Sequence, residues 1–157
     1  MDAELSIRKA LSTQQVVYAG ISSGILLFAV VAVVLVNRVS VQTELSRFLL
    51  PGLAVFTLIA GIAATVLRGV IMNRARLRVL DLPDDVDPVP AVAVYWQRSS
   101  LVTALAADLV GTLACVVYLV TKAPAALALA GLVIAFLLVR FPRRSRLNSF
   151  LIEAGVR

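Results

Sequence analysis

The chain has 157 residues, enough for one domain, and 61% of them are hydrophobic while 15% are charged. Average soluble domains have roughly 45–50% apolar and about 25% charged residues, so this composition is that of a membrane protein rather than a soluble one. The net charge is +6, histidine is absent, and the single cysteine, Cys115, excludes a disulfide within the chain.

Four apolar blocks follow one another along the chain. Residues 16–36, 48–67 and 123–139 carry no charge, and residues 99–121 carry only Asp108. Each block has close to the ~20 residues that a helix needs to cross a hydrocarbon core of about 30 Å. We therefore predict a single all-α membrane domain over residues 1–157, a four-transmembrane-helix bundle with short interfacial helices at the termini. The transmembrane helices are expected at residues 16–36, 48–72, 97–121 and 124–140.

The segments between and beyond these blocks are predicted from their polar residues. Residues 1–15 should form a short helical lead-in to the first span. Residues 81–90 contain four acids and three prolines and should form a cytoplasmic loop, because proline disfavours helical geometry in itself and in the residue before it. The acids do not have the spacing of a calcium-binding loop, so we expect a solvated loop or a docking surface for a basic partner, with no metal and no cofactor.

The tail, residues 141–157, is predicted to be a basic amphipathic helix on the membrane surface. Its apolar residues recur at i, i+3, i+4 and i+7, which is the spacing of one helix face. These residues are Leu147, Phe150, Leu151 and Ala154.

Most lysines and arginines lie before the first block, around the middle loop or after the fourth block. By the positive-inside rule, this distribution places both termini and the middle loop in the cytoplasm. We therefore ascribe the positive net charge to topology and to contact with anionic lipid headgroups, and we expect no nucleic acid partner. The arginines expected at the headgroups are Arg74, Arg76, Arg78, Arg143, Arg144 and Arg146.

Asp108 is the only acidic residue in the sequence of the four apolar blocks. It lies about 13 Å along the predicted helix from Ser99, which places it close to the middle of the membrane. An acid at that depth is costly and is a functional-site hypothesis by default. Small residues on the same helix face indicate that another helix packs closely there. We select Ala104, Gly111 and Cys115 as packing residues of this face.

Two interpretations of Asp108 remain open. In the first, the carboxyl group stays neutral, because desolvation disfavours its charged form, and it joins neighbouring helices by hydrogen bonds. In the second, it exchanges a proton or binds a cation. The candidate partners at the same depth are Ser22 and Ser23 of the first helix and Thr57 of the second.

Gly20 and Gly24 form a small-xxx-small pair in the first helix. Such a pair allows close approach of another helix, either within the bundle, which we expect, or from a neighbouring protomer. The sequence contains no histidine and no phosphate-binding glycine loop, so we expect no enzyme activity and no catalytic residues.

The stretch from Thr103 to Val120, TALAADLVGTLACVVYLV, resembles the carboxylate-bearing helix of the ring-forming c-type subunit of rotary ATP synthases. The chain as a whole resembles small bacterial four-transmembrane-helix proteins with an acid at this place and a short basic tail, here FPRR. The resemblance implies a multi-pass protein of the bacterial inner membrane, and it favours a role for Asp108 in packing subunits together over a role in a rotor. Gly52, Gly61 and Gly69 depart from the closely repeated glycines of the ring subunits, because they lie nine and eight residues apart.

These observations lead to two functional hypotheses. The first is a non-enzymatic accessory or assembly subunit of a larger membrane complex, or a homo-oligomer, whose partners are other membrane subunits or itself. The second is a c-subunit-like protein that moves protons or cations with Asp108.

Overall fold

A computed structural model describes residues 2–38, 43–83 and 86–156, and these parts of the chain contain helices and connecting turns without strands. The five helices are α1 (Asp2–Leu35), α2 (Thr43–Leu80), α3 (Val89–Thr121), α4 (Pro124–Val139) and α5 (Arg144–Glu153).

Three of the helices, α1, α2 and α3, are long and apolar enough to cross a membrane. The fourth, α4, has 16 residues, and α5 follows it at an angle of 76°. If the bent pair of α4 and α5 counts as one span, the number rises to four. The chain thus has the helices of a multi-pass membrane protein.

The long helices begin earlier than the sequence predicted. No proline or glycine precedes Gly20, so α1 runs without interruption from Asp2, and the expected lead-in is part of the same helix. The second helix begins at Thr43, which places Pro51 inside it rather than in its first turn. The third begins at Val89, directly after Pro88, where a proline fits because the first N–H groups of a helix have no internal partner.

The central helix of the molecule is α3, which contacts each of the other four. The two-residue connection to α4 brings that helix back alongside α3, after Lys122 has ended α3 in a left-handed conformation with φ 54°. Whereas α1 and α4 also touch each other, α2 packs along its length against α3, and α5 meets it near Ala75 and Arg76. The side of α2 that faces away from α3 is therefore left uncovered by this chain.

The tail helix α5 packs against the protein, which corrects the prediction that its apolar face lies on the membrane. Leu147, Phe150, Leu151 and Ala154 are buried. They join a core cluster at one end of the molecule with residues of the other helices: Ala10, Ala75, Val92, Ala93 and Trp96. We call this the basic end, because the arginines that follow α4 and those late in α2 lie there.

Candidate functional site

Asp108 lies on α3 at the margin of the buried face. The preceding Ala107 and the later Gly111 are buried, Asp108 is half-buried, and Thr112 is exposed. Within the described ranges, no side chain forms a hydrogen bond or ion pair with the Asp108 carboxylate. The carboxylate is thus on the edge of the bundle rather than inside it.

The predicted partners of Asp108 do not assemble around it. The Thr57 hydroxyl donates to the carbonyl oxygen of Leu53, one turn back in α2, at 2.7 Å. Ser23 is exposed on the outer face of α1, and Ser22 is half-buried. The structure therefore gives no hydrogen-bonded site made of Asp108 and these three residues.

The small residues selected for helix packing fall into two groups. Ala104, Gly111 and Cys115 are buried on α3. Gly20 and Gly24 are exposed on α1, and a Cβ atom at either would meet nothing within 4 Å. The expectation that this glycine pair packs within the bundle is wrong, because the pair faces outward.

The arginines assigned to headgroups are exposed at the basic end, namely Arg74, Arg76, Arg78, Arg143, Arg144 and Arg146. Two of them also connect the tail helix to other helices. Arg76 Nε donates to the Glu153 carbonyl oxygen at 2.9 Å, and Arg144 forms an exposed ion pair with Glu4 at 3.2 Å. An ion pair as exposed as this one stabilises a fold little.

Side chains of α1 fasten the basic end through hydrogen bonds to backbone oxygens. Gln14 Nε2 donates to the Gln97 carbonyl at 3.1 Å, and the Tyr18 hydroxyl donates to that of Ser100 at 3.2 Å. Gln15 Nε2 donates to Pro142 in the turn after α4 at 3.2 Å. These bonds fix the relative positions of α1, α3 and that turn.

A polar cavity of about 230 Å³ lies at this end of the molecule; we call it the basic cavity. Arg68 of α2, Arg140 after α4 and Arg146 of α5 line it, with Glu153 as its carboxylate. Trp96 also lines it and is buried at 5% exposure. The rest of the lining consists of Pro142, Phe150 and five residues that carry a hydroxyl group, namely Tyr18, Ser99, Ser100, Thr103 and Ser149.

A second, mostly apolar hollow of about 450 Å³ lies between α2 and α4, with α3 as its floor; we call it the lateral groove. Its α2 wall consists of small residues such as Ala60, Gly61 and Ala64, whereas Leu132 and Phe136 form the α4 wall. Small side chains cannot fill the space between two helices that each pack on a third, so the groove stays open.

Sequence reasoning did not identify the basic cavity or the lateral groove. Arg68 and Arg140 border apolar blocks like other arginines of this chain, and only the fold brings them to one cleft. Asp108 lines neither hollow. The sequence does show the run of small residues on α2. They indicate a groove only when the neighbouring helices are known.

Comparisons of the chain with protein-family models, with curated proteins and with solved structures gave no match.

Proposed function

We propose that this chain is a non-enzymatic integral membrane protein that acts by association, as an accessory subunit of a larger membrane complex or as a homo-oligomer. In this proposal α1 to α4 form a four-transmembrane-helix bundle in a bacterial inner membrane, with both termini in the cytoplasm. The position of α5 supports four crossings. Pro124 begins α4 beside the far end of α3, while α5 packs against Ala75 and Trp96 at the basic end, so α4 covers the distance between the two ends.

The observation that carries the proposal is the exposure of α2. Only 6% of its apolar stretch is buried in this chain, against 39% for α3. The uncovered surface has a hollow around Gly61 between Thr57 and Thr65. Lipid tails are as apolar as leucine, so helices associate in a bilayer through close packing, which small residues permit.

The outward glycine pair on α1 supports the same proposal. Gly20 and Gly24 leave open space on the helix surface, which a helix from another subunit can enter closely. A Cβ atom at either position has no described neighbour within 4 Å, so a leucine side chain can be attached there without a clash at its base. Leucine is also a better helix former than glycine by up to about 1 kcal/mol, so the protomer should keep its fold.

The experiment compares Gly20→Leu with Ala19→Leu, an exposed neighbour on another side of α1. Each protein is extracted in mild detergent, and the mass of the intact particle is measured. We expect Gly20→Leu to shift the particle toward the single protomer and Ala19→Leu to leave it unchanged. Equal particle masses for both variants and the wild type would remove this face of α1 from the interface.

A second candidate function is proton or cation exchange at Asp108. It is favoured by the absence of any described hydrogen-bond or ion-pair partner for a half-buried carboxylate about 20 Å from the end of α3. Asp108→Asn keeps nearly the same shape but cannot exchange a proton. Carbodiimide labelling of the wild type, with proton or cation flux lost in assembled Asp108→Asn vesicles, would support exchange. Unchanged flux would leave association as the function.

A further inference from the structure

We propose that the cleft formed by the basic cavity and the lateral groove binds one anionic phospholipid. Its phosphate group would lie between Arg68 and Arg140, and an acyl chain would lie in the groove between α2 and α4.

The first support is that the two hollows adjoin. Arg68, Thr103 and Arg140 line both of them, so the groove and the basic cavity meet at these three residues. One end of the cleft is therefore apolar and the other is polar and positively charged. A phospholipid has the same division, with apolar acyl chains at one end and a charged headgroup at the other.

The second support is the charge of the polar end. Three arginines, Arg68, Arg140 and Arg146, line the cavity, and Glu153 is its one acidic lining residue. None of these arginines forms an ion pair with another described residue. Arg140 lies over the Phe136 ring at 5.5 Å, and Arg146 donates to the Val139 carbonyl oxygen at 3.1 Å, so both are held near the cavity.

The third support is the position of the cleft relative to the bilayer. The α2 and α4 walls belong to apolar stretches, and Leu132 and Phe136 are exposed on the surface of the molecule. Arg140 directly follows the last residue of α4, where the apolar stretch ends. Basic pockets between transmembrane helices on the cytoplasmic side are typical binding sites for anionic headgroups, and planar guanidinium groups bind phosphate with paired hydrogen bonds.

The size of the groove is consistent with an acyl chain. Its volume of about 450 Å³ lies within the roughly 300–1,000 Å³ of sites that enclose small ligands. Ala64 and Ala106 are small residues of its walls, so a chain can lie against the backbone of α2 and α3.

The experiment uses the full-length protein in mild detergent and measures bound lipid by mass spectrometry of the intact particle. Phosphatidylglycerol is the anionic probe and phosphatidylcholine the zwitterionic one. We expect the wild type to prefer phosphatidylglycerol by about tenfold, because both lipids present the phosphate group but the arginines repel the choline cation of phosphatidylcholine. The double variant Arg68→Gln/Arg140→Gln should lose this preference. The control Arg74→Gln/Arg78→Gln, which removes two exposed arginines outside the cleft, should keep it.

A second pair of variants tests the groove without changing charge. Ala64→Leu fills the groove and should lower the occupancy of both lipids several-fold, whereas Ala63→Leu, exposed on another side of α2, should not. Equal binding of the two lipids by the wild type, or equal loss in the test and control variants, would overturn the proposal. Inorganic phosphate provides the last arm. If it displaces phosphatidylglycerol at millimolar concentration, and Ala64→Leu has no effect, the site binds free phosphate rather than a lipid.

Discussion

Gly111 of α3 lies directly against Ile25 of α1. A Cβ atom built on this glycine would be 2.9 Å from Ile25 Cδ1 and 3.1 Å from Cγ2. Ile25 is 1% exposed, so it has little room to move away. The absence of a side chain at Gly111 is what allows α1 and α3 to approach each other at this level.

Gly111→Ala should therefore destabilise the protein relative to Gly131→Ala. The α4 glycine has open space around it, and alanine there should add up to about 1 kcal/mol through helix propensity. At Gly111 the same gain is opposed by overpacking, which costs about 1–3 kcal/mol. Unfolding in one detergent, followed by helical circular dichroism, measures the difference. The double variant Gly111→Ala/Ile25→Val removes Cδ1 and should recover part of the loss; strict additivity would contradict the contact.

Truncation of the tail helix should be costly at Leu147 and harmless at Ile152. Leu147 is fully buried in the cluster at the basic end, whereas Ile152 of the same helix is 73% exposed. Leu147→Ala should lower the free energy of unfolding by about 2–5 kcal/mol, and Ile152→Ala should change it by less than about 0.5 kcal/mol. Denaturation of both variants under identical conditions checks this. Similar small effects would mean that α5 rests on lipid rather than on the protein.

The apolar blocks of the sequence located the helices but not their faces. Hydropathy identified α1, α2 and α3 as candidate spans because each contains about twenty apolar residues in succession. It could not show that Gly20 and Gly24 face outward, because lipid and protein interior are equally apolar environments for a helix. In a soluble protein, polar residues would have marked the outer face.

The environment of the tail helix was predicted wrongly for a related reason. The spacing of Leu147 and Phe150 correctly indicated one apolar helix face, but the same spacing fits a membrane surface and a protein core. What decided between them was the cluster around Trp96, whose members come from four helices and are distant in sequence.

Removal of the Tyr18 hydroxyl should lower the free energy of unfolding more than replacement of the Gln14 amide does. Tyr18→Phe leaves the carbonyl oxygen of Ser100 without its donor and keeps the edge-to-face contact with Phe141, so we expect a loss of about 0.5–1.5 kcal/mol. Gln14 is buried, and its Oε1 atom has no hydrogen-bond partner among the described residues. Gln14→Met removes this unpartnered oxygen, which should stabilise the protein, and also the hydrogen bond to Gln97, which should destabilise it. The free energy of unfolding should therefore change little. Unfolding midpoints in one detergent compare the variants, and a larger loss for Gln14→Met would contradict this.

Cysteine labelling should place Lys122 on the opposite side of the membrane from Arg78 and Ile152. The background is Cys115→Ala, which removes the buried native cysteine. In intact cells, an impermeant maleimide should label Lys122→Cys at once, and Arg78→Cys or Ile152→Cys only after permeabilisation. Labelling of Ile152→Cys together with Lys122→Cys would mean that α4 does not cross the bilayer and that the chain has three spans.

The mass of the particle extracted from its native membrane in mild detergent tests most directly whether the chain acts by association. The single chain has a mass of 16.7 kDa. We predict a protein mass of at least two subunits, either two or more copies of this chain or this chain with other membrane subunits, which decreases when Gly20 and Gly24 are both changed to leucine. A protein mass of one chain alone, unchanged by those substitutions, would contradict the proposal.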